Sequence, residues 1–511
     1  MISDTAGPER DIALELALAP EDVALLLRQP ELRAETTPGA RRRSARATRC
    51  RRIWHDTADG DLAGLGQSLC HQTAGGETVW LLERLVPGPG EIAPPGAVPA
   101  LIRATALPTD LPHDLPRGPL LPIAAFEGQE RRFEVGGVQI HLLQGELRAV
   151  TAVAPVCRVR LVGPGSLSLA AAWCVKIRLS CPRISLAAEA LALAGRPGPD
   201  RLLGAPSLSA EMDAQTGFAF VVAHLAGVLQ HHALAAGHGS DPGGGPEPVH
   251  QMRVGLRRLR SAMLLFRRAV GCPAIDDVTL GLKALGQALG PPRDWDVFTR
   301  GTGRDVERAL PDEPAIVRLM TAAERQRQAA YAELRRTLES PAWRSLGVAL
   351  AGLALERPWT DAPQPDPDRA LRQAERQAAP LPDFAGRAIQ QRLEVLVAPG
   401  PDLSGLPMEA LHEIRLHAKR LRYAAEFFAP LFPGRQTRRF LRRLSSLQEH
   451  LGLMNDGAVA AGLMARLEGA TTRHRFAAGA VRGFVAARAA GGRRRMERDW
   501  ARLLRQDAFW S

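Results

Sequence analysis

Two histidines, each followed by the same spacing of cations, are the residues of this 511-residue chain best suited to a shared chemical task. His250 is followed by cations at +3, +7, +8 and +10, and His412 repeats that spacing later in the chain. On an α-helix, positions 0, +3, +7 and +10 fall within an arc of roughly 80°. One histidine and three cations on a narrow face, made twice, indicate a surface that grips a long polyanion. The first stripe is His250, Arg253, Arg257 and Arg260 with Arg258 beside it, and the second stripe is His412, Arg415, Lys419 and Arg422 with Arg420 beside it.

The repetition extends beyond the stripes, which indicates two copies of one structural unit. The motif Leu-Gly-x-x-Arg-Asp at 289–294 is followed by Leu-Gly-x-x-Asn-Asp at 451–456, at the same offset that separates His412 from His250. Phe266 matches Phe428 at that offset too. The face opposite each stripe is apolar with a helical period. Its members are Met252, Leu256, Leu259, Met263 and Phe266 in the first copy and Ile414, Ala418, Leu421, Ala425 and Phe428 in the second.

The elements that must position the stripes are helices. Helical patterns cover Glu211–Ala236, Ile316–Leu338, Arg369–Val397, Thr437–His450 and Ala458–Leu467, and no alternating strand pattern occurs after about residue 205. We therefore expect two helical bundles that face each other, with their stripes turned toward a shared cleft or pore.

The first 200 residues follow a different pattern, with short strands separated by Gly/Pro clusters. The predicted strands are Ile12–Leu18, Arg52–Asp56, Thr78–Leu85, Arg132–Leu143 and Val156–Val162, and the predicted helices are Pro20–Arg28 and Ser166–Lys176. The expected fold class is thus α+β and multidomain: an N-terminal antiparallel β tunnel or barrel, then an all-α domain of two pseudo-symmetric bundles. The boundaries are 1–200, a linker at 201–210, and 211–505, with repeats at about 211–365 and 373–505.

The helical half resembles the conserved-histidine α-helical (CHAD) domain. Four strings carry the resemblance in the same order: VHQMRVGLRRLRS, LGPPRDWDVF, LHEIRLHAKRLRYAAEFF and LQEHLGLMND. The resemblance spans about 211–505 and implies a pseudo-symmetric bundle whose basic central cavity binds inorganic polyphosphate, with the stripe residues as its ligands. Arginine supports this implication independently, because it offers a fork of donors to phosphate oxygens and stays charged at cellular pH.

The N-terminal half resembles the CYTH superfamily of triphosphate tunnel proteins, which commonly precede CHAD domains. Residues 11–16, Trp54-His55-Asp56-Thr57 and the segment 156–193 carry this resemblance. The family's E-x-E-x-K strand motif is replaced by Asp11, Ala13 and Glu15. Its late acidic pair falls on Arg158 and Arg160, its basic pair on Cys70 and Gln72, and its lysine near Glu83 or Arg84.

These replacements remove carboxylates that would hold Mg²⁺ or Mn²⁺ and cations that would hold a triphosphate. We therefore expect a scaffold or an altered binding site in this half, with little or no triphosphatase or cyclase activity. The chain is predicted not to be an enzyme, to have no catalytic residue and to need no cofactor.

The residues of the two stripes are compatible with other functions. An arginine-rich helix face is ordinarily a solvated surface, and the repetition with histidine at the same end argues against that here. The histidines could be metal ligands or phospho-acceptors, but their cationic surroundings disfavour a divalent metal, so we interpret them as donors to phosphate oxygens. Arg293, Asp294 and Asp456 are possible supporting residues, and the two aspartates are interpreted as structural rather than catalytic.

Composition limits the partners. The net charge of +12 and a pI of about 10.4 indicate an anionic partner. Aromatic residues make up 5% of the chain, too few for extensive base stacking, so nucleic acid is disfavoured. The six cysteines contain no CxxC pair, which fits a reducing compartment and no zinc site. No uninterrupted apolar run reaches the length that a membrane-spanning helix needs, so no membrane association is expected.

The sequence therefore predicts a cytoplasmic polyphosphate-binding protein, associated through the family resemblance with polyphosphate granules, and leaves its oligomeric state open. An enzyme acting on triphosphate or polyphosphate through the N-terminal half, and a nucleic-acid-binding protein, are the alternatives.

Overall fold

The computed structural model describes residues 13–33, 47–88, 90–98, 101–107, 119–198, 203–239, 245–403, 405–470, 474–490 and 493–510. At 101, 408, 452–459, 468–470, 488–490 and 493–494 only the backbone is described. The chain forms two compact units. The first unit is Met1–Gly204 with Val222–His231 and Glu339–Pro358, and the second is Ala205–Val221, His232–Leu338 and Trp359–Ser511. The predicted residues Asp11 and Ile12 lie outside the described ranges.

The first unit is built on one nine-stranded sheet in the order β5-β4-β3-β2-β6-β7-β8-β1-β9, with every neighbouring pair antiparallel. The strands are β1 (Ala13–Leu18), β2 (Thr48–Asp56), β3 (Gln67–Ala74), β4 (Glu77–Arg84), β5 (Leu101–Ala104), β6 (Leu121–Val135), β7 (Val138–Ala149), β8 (Val153–Val162) and β9 (Leu179–Ser180). Its helices before residue 200 are α1 (Val23–Leu26), α2 (Pro30–Arg33), α3 (Asp61–Gly64), α4 (Ser166–Lys176) and α5 (Leu186–Leu193).

A short segment just before β5 pairs with β1, the strand next to the other end of this sheet. The backbone N–H of Glu15 donates to the carbonyl of Gly96 at 2.7 Å, and the N–H of Val98 donates to the carbonyl of Ala13 at 3.2 Å. Gly96 has a φ of +85°, and a Cβ atom there would lie 2.9 Å from the Glu15 carbonyl oxygen. Glycine at 96 therefore permits both the turn and the close approach that bring the β5 end of the sheet to β1.

Strand prediction succeeded where the apolar alternation was regular and failed at hairpins. The predicted strand Arg132–Leu143 is wrong, because Gly136 and Gly137 (φ +55° and +81°) turn the chain between β6 and β7. The predicted helix Pro20–Arg28 is a 3₁₀ turn, Pro20–Asp22, followed by the single turn α1. The strands β3, β5 and β9 were missed.

A core of alternate strand residues packs against α4 in the first unit. Leu14, Leu16, Val159 and Leu161 on β1 and β8 are fully buried with Trp173 of α4. Helix α11 (Pro341–Glu356), which follows far along the chain, adds Val348 and Ala351 to this core. The first unit thus contains a helical segment taken from the predicted helical half.

The second unit is helical. Helix α6 and the last residue of α10 extend into segments of the first unit. The helices of the second unit are α6 (Ala214–Gly237), α7 (Glu247–Val270), α8 (Pro273–Val297), α9 (Gly303–Ala309), α10 (Pro314–Glu339), α12 (Pro367–Ala378), α13 (Leu381–Val397), α14 (Met408–Phe428), α15 (Arg435–Ala470), α16 (Arg475–Ala490) and α17 (Arg493–Leu504). The described part of the chain after residue 205 contains no strand, as predicted, and the fold class is confirmed.

The helix boundaries reproduce the sequence repeat. Helix α8 begins at Pro273 and α15 begins at Arg435, which is the same offset as that from His250 to His412. Helices α7 and α8 therefore correspond to α14 and α15, and each pair carries one stripe and one Leu-Gly motif.

Two predicted helix boundaries are wrong. Arg369–Val397 is not one helix but α12 and α13, because Pro380 cannot donate its backbone N–H and holds Ala379 in an extended conformation. Thr437–His450 and Ala458–Leu467 are parts of the single helix α15. Gly452 and Gly457 lie between the two predicted helices, but a mid-helix glycine costs only about 1 kcal/mol and the helix continues through them.

One described helix, α6, is long and apolar enough to cross a membrane by length and composition. In its most apolar window, 67% of the residues are buried inside the protein, as in a core helix. The six cysteines are all buried and free.

Candidate anion-binding site on the repeated helices

Helices α7 and α14 bury one face and leave the stripe face accessible. Met252, Leu259 and Phe266 on α7, like Leu421 and Phe428 on α14, are fully buried. The stripe residues are half-buried or exposed. His250, Arg253, Arg257, Arg258, Arg415 and Arg422 are half-buried, whereas Arg260, His412, Lys419 and Arg420 are exposed. The predicted amphipathic pattern of both helices is confirmed.

One arginine in each stripe is fixed by the same contact. Arg253 donates from Nη1 to the carbonyl oxygen of Leu289 at 3.2 Å, and Arg415 donates from Nη1 to the carbonyl oxygen of Leu451 at 2.9 Å. Donor and acceptor are both related by the offset of the sequence repeat. The Leu-Gly motif therefore anchors the third residue after each histidine.

The two stripe helices pack against each other. The rings of Phe266 and Phe428, which are equivalent residues, have centroids 5.9 Å apart. On the polar side, the partial loss of water around Lys419 and repulsion from Arg257, Arg415, Arg253 and Arg422 lower the pKa of Lys419. Because Arg253 and Arg257 belong to α7, cations from both copies lie within electrostatic range of one ammonium group.

Tyr423 and Glu426 belong to this cluster and were missed by the sequence reasoning. The Tyr423 ring centroid lies 5.9 Å from Lys419 Nζ and 5.7 Å from Arg422 Cζ, so the ring face supports two cations. The Glu426 carboxylate oxygen Oε1 lies 3.5 Å from Arg422 Nε, so the two side chains form an ion pair. Burial lowers the pKa of Arg258, and the charge of Glu426 partly offsets that effect. The i, i+4 spacing of Arg422 and Glu426 was the signal that could have found this pair.

His250 and His412 differ in environment. His250 is half-buried, and burial followed by repulsion from Arg293, Arg257 and Arg253 lowers its pKa, against an opposing effect of Glu247. His412 is exposed. Without an anion, His250 is therefore mainly neutral at pH 7 and can donate from one ring nitrogen.

The first unit contains a separate cavity of about 1000 Å³. Its lining includes Glu15, Arg52, Glu83, Arg160 and Arg183. Glu15 lies opposite Arg160 in the register of β1 and β8, and its carboxylate is 3.2 Å from Arg160 Nη2. No described residue forms a hydrogen bond with the buried Nε of Arg52. Burial, followed by repulsion from Glu15, raises the pKa of Glu83.

The positions expected to hold a metal carry ion pairs instead. Arg158 lies 3.7 Å from Glu15 and 2.5 Å from Glu189, so Glu15 is contacted by two arginines. Cys70 is buried, which raises the pKa of its thiol to about 12. Across the described ranges, no group of three or more His, Cys, Asp or Glu residues could hold a metal ion.

Residues 221–465 match the family model of the CHAD domain. The chain contains a CHAD domain. The match begins within α6 and ends within α15, so both stripes and both Leu-Gly motifs fall inside the CHAD domain. The resemblance read from the four sequence strings is thereby confirmed.

Several solved structures are similar to the chain. The crystal structure of the CHAD domain from the plant Ricinus communis shares 27% identity, covers 60% of this chain and 98% of its own, and superposes with a TM-score of 0.49. PptA from Streptomyces chartreusis shares 19% identity over 54% of this chain and 97% of its own, with a TM-score of 0.38.

A putative adenylyl cyclase from Hippeastrum, described as having a dominant triphosphatase activity, shares 15% identity over 37% of this chain and 98% of its own, with a TM-score of 0.27. No curated protein matches the chain.

The match to the CHAD family model supports a phosphate-related function in general.

Two supporting residues predicted beside the stripes can be placed in the CHAD domain. Arg293 and Asp294 are half-buried at the end of α8. Burial raises the pKa of Asp294, and the nearby Arg253, Arg466 and Arg293 oppose that rise. The side chain of Asp456 lies outside the described residues. Arg420 lies near Arg392, which is not a stripe residue. Burial lowers the pKa of Arg392, and repulsion from Arg420 and Arg268 lowers it further.

Proposed function

We propose that the protein binds inorganic polyphosphate along the two stripes of its CHAD domain. The observation that carries the proposal is the repeated stripe on packed helices, with Lys419 of the second copy in electrostatic range of Arg253 and Arg257 of the first. Like charges placed so close destabilise one another unless an anion lies among them. A polymer with one negative charge per phosphate supplies that anion along the whole length of both stripes.

The spacing of the stripes favours a chain of phosphates over a single phosphate ester. Each stripe extends over nearly three helical turns, which is about 15 Å at 1.5 Å per residue. Arg253 and Arg415 are held by carbonyl oxygens and keep further N–H donors for a ligand. Binding by a pre-arranged set of cations requires no base recognition and is strongly salt-dependent.

We further propose that the chain is not a triphosphatase. A metal-dependent hydrolysis needs carboxylates free to hold Mg²⁺ or Mn²⁺, and Glu15 is instead paired with Arg158 and Arg160.

Nucleic acid is disfavoured as the ligand because Tyr423 is the one aromatic residue found against stripe cations in the described part of the chain, and its ring face is taken up by them. The proposed location is the cytoplasm, at polyphosphate granules, and the proposed domains are 1–200 and 211–505.

Charge reversal in both stripes tests the site. We expect the variant Arg257→Glu, Arg260→Glu, Lys419→Glu, Arg422→Glu to lose retention of long-chain polyphosphate, because four attractions become repulsions. Retention is measured by filter binding at fixed salt, with circular dichroism to show that helicity is kept. The matching glutamine variant, which removes charge without adding repulsion, should weaken binding at least about tenfold.

The control reverses four exposed arginines outside the stripes: Arg318 and Arg325 of α10, and Arg369 and Arg376 of α12. This variant carries the same net charge as the stripe variant. If both variants lose the polymer equally, the effect is one of overall charge, and the proposed site is wrong. Unchanged retention in the folded stripe variant would also refute it.

A further inference from the structure

A second basic pocket of the helical unit lies between α15 and α17. It has a volume of about 310 Å³ and is lined by Arg442, Arg443, Ser446, Asp499 and Arg502. None of these is a stripe residue, and α15 and α17 contribute no residue to either stripe. We call this set the outer pocket.

A buried carboxylate holds the outer pocket in shape. Asp499 is buried, and its Oδ2 accepts from Ser446 Oγ at 2.5 Å and from His450 Nδ1 at 2.9 Å. Arg502 lies 3.5 Å from Asp499 Oδ1, and Arg443 donates from Nη1 to the carbonyl oxygen of Arg502 at 2.8 Å. These bonds link α15 to α17 and fix the backbone beneath the arginines.

The charge of the outer pocket is unbalanced. Arg439, Arg442 and Arg443 share one face of α15 by their i, i+3 and i+4 spacing. Partial loss of water and repulsion from Arg439, Arg502 and Arg505 lower the pKa of Arg443. Among the described lining residues Asp499 is the one acid, and it already has three partners, so the arginines are left with charge that an anion would balance.

The internal repeat provides a control for this feature. The first-copy equivalents of Arg439, Arg442, Arg443, Ser446 and His450 are Asp277, Leu280, Gly281, Ala284 and Ala288, at the offset that relates His412 to His250. The stripes are matched in both copies, but the side chains of the outer pocket have no counterpart in the first. The pocket is therefore not a by-product of the shared helical unit, and its residues call for a separate explanation.

We propose that the outer pocket binds a second stretch of polyphosphate, so that one protein molecule holds the polymer at two separate places. This inference rests on the proposed function of the stripes. Arginine forks suit phosphate oxygens, the small concave volume fits a short run of phosphates, and the described lining includes no aromatic residue for base stacking. Two sites on one protein would raise its apparent affinity for long chains and allow it to join two chains.

The test is calorimetric titration of the full chain with tripolyphosphate, a short probe for each site. Wild type should bind two molecules. The variant Arg442→Gln, Arg443→Gln should bind one, and its affinity for long-chain polyphosphate should fall by at least about tenfold. The control Arg318→Gln, Arg325→Gln loses the same charge from exposed residues of α10 and should keep two sites. Thermal unfolding checks that each variant is folded.

The outcomes separate the two proposals. If the outer-pocket variant still binds two molecules, the outer pocket is not a site, whatever the stripes do. If the glutamine variant of the stripes still binds two, the proposed function fails while the outer pocket stays open to its own test. If a short DNA duplex displaces tripolyphosphate from the stripe variant at equal phosphate concentration, the outer pocket is a nucleic-acid site and the inference is overturned.

Discussion

Arg253 and Arg415 use their guanidinium groups for two purposes. Each gives one N–H to a helix carbonyl, which fixes the side chain, and keeps further donors that can reach an anion. A lysine would have to reach both partners from a single nitrogen, whereas the arginine fork spreads its donors over three nitrogens. This difference gives a physical reason for arginine at the +3 position of both stripes, whereas the +7 position accepts Arg257 in one copy and Lys419 in the other.

The lowered pKa of His250 predicts a pH dependence. Near Arg293, Arg257 and Arg253 the neutral imidazole is favoured, and a bound polyanion reverses that preference. Binding therefore takes up a proton, and affinity should rise as the pH falls from 8 to 6 through the pKa of the bound state. We expect stronger polyphosphate binding at pH 6, by up to about tenfold for His250.

The variant His250→Gln should flatten part of this dependence, as measured by titrations at several pH values and constant ionic strength. Equal affinity of wild type at pH 6 and pH 8 would contradict the role of His250. Without the anion the sign for stability is opposite: the lowered pKa of His250 makes the free protein less stable as the pH falls through about 6.5.

Single residues of the site could be foreseen from the sequence to different degrees. The stripe residues were found because their spacing repeats, and a repeat is visible without coordinates. Tyr423 was missed because its role depends on rings and cations meeting in three dimensions. The contact of Glu15 with Arg158 and Arg160 likewise joins residues far apart in the chain, and only the strand register brings them together.

At the scale of elements, α7 and α14 are held by an aromatic cluster on their buried faces. Phe266 stacks on Phe384 with centroids 4.6 Å apart and contacts Phe428, Phe427 and Phe218 at 5.4–6.2 Å. This cluster fixes the two helices, and with them the two stripes, against each other. The apolar side of each helix thus determines the geometry of its polar side.

Truncating the centre of this cluster should unfold the helical unit more easily. We expect Phe266→Ala to lower the free energy of unfolding by about 3–5 kcal/mol, because a fully buried ring leaves a cavity. Chemical denaturation followed by circular dichroism measures the change. Phe476→Ala removes an exposed ring of α16 and should change stability by less than about 0.5 kcal/mol. A similar loss in both variants would contradict the proposed role of the cluster.

Helices and strands with a strong hydrophobic period could be predicted from the sequence, but most of their end residues could not. The boundaries of α4 are an exception and agree with the prediction, since the left-handed Gly165 precedes this helix and the extended Ile177 follows it. The break at Pro380 and the continuity of α15 were misjudged, since the first depends on one residue without an N–H and the second on packing that outweighs two glycines. The hairpin at Gly136–Gly137 was missed because the strand pattern continues on both sides of it.

At the scale of the whole molecule, the sequence shows the duplicated helical unit. It does not show how the chain divides between the two compact units. The first unit takes Val222–His231 and Glu339–Pro358 from within the helical half, a partition that depends on long-range packing such as that of Val348 and Ala351 against β-strand residues. The sequence pattern identifies both segments as helical, and it contains no signal for the unit in which they pack.

The first unit is expected to release no phosphate from tripolyphosphate above the uncatalysed rate, with Mg²⁺ or Mn²⁺ present. The reason is the pairing of Glu15 with two arginines, together with the lack of a metal-binding group among the described residues. A colorimetric phosphate assay on the full chain measures this. Activity that disappears in Glu15→Gln would show that the cavity is catalytic and overturn the expectation.

The dependence of polyphosphate affinity on salt tests the central claim most directly. For wild type, the logarithm of the binding constant should fall linearly with the logarithm of the salt concentration, because each neutralised phosphate releases a counterion. Replacing Arg257, Arg260, Lys419 and Arg422 with glutamine should make that slope shallower by roughly three to four units, at about 0.7–0.9 per cation. A slope identical in wild type and in this folded variant would show that the two stripes do not hold the polymer.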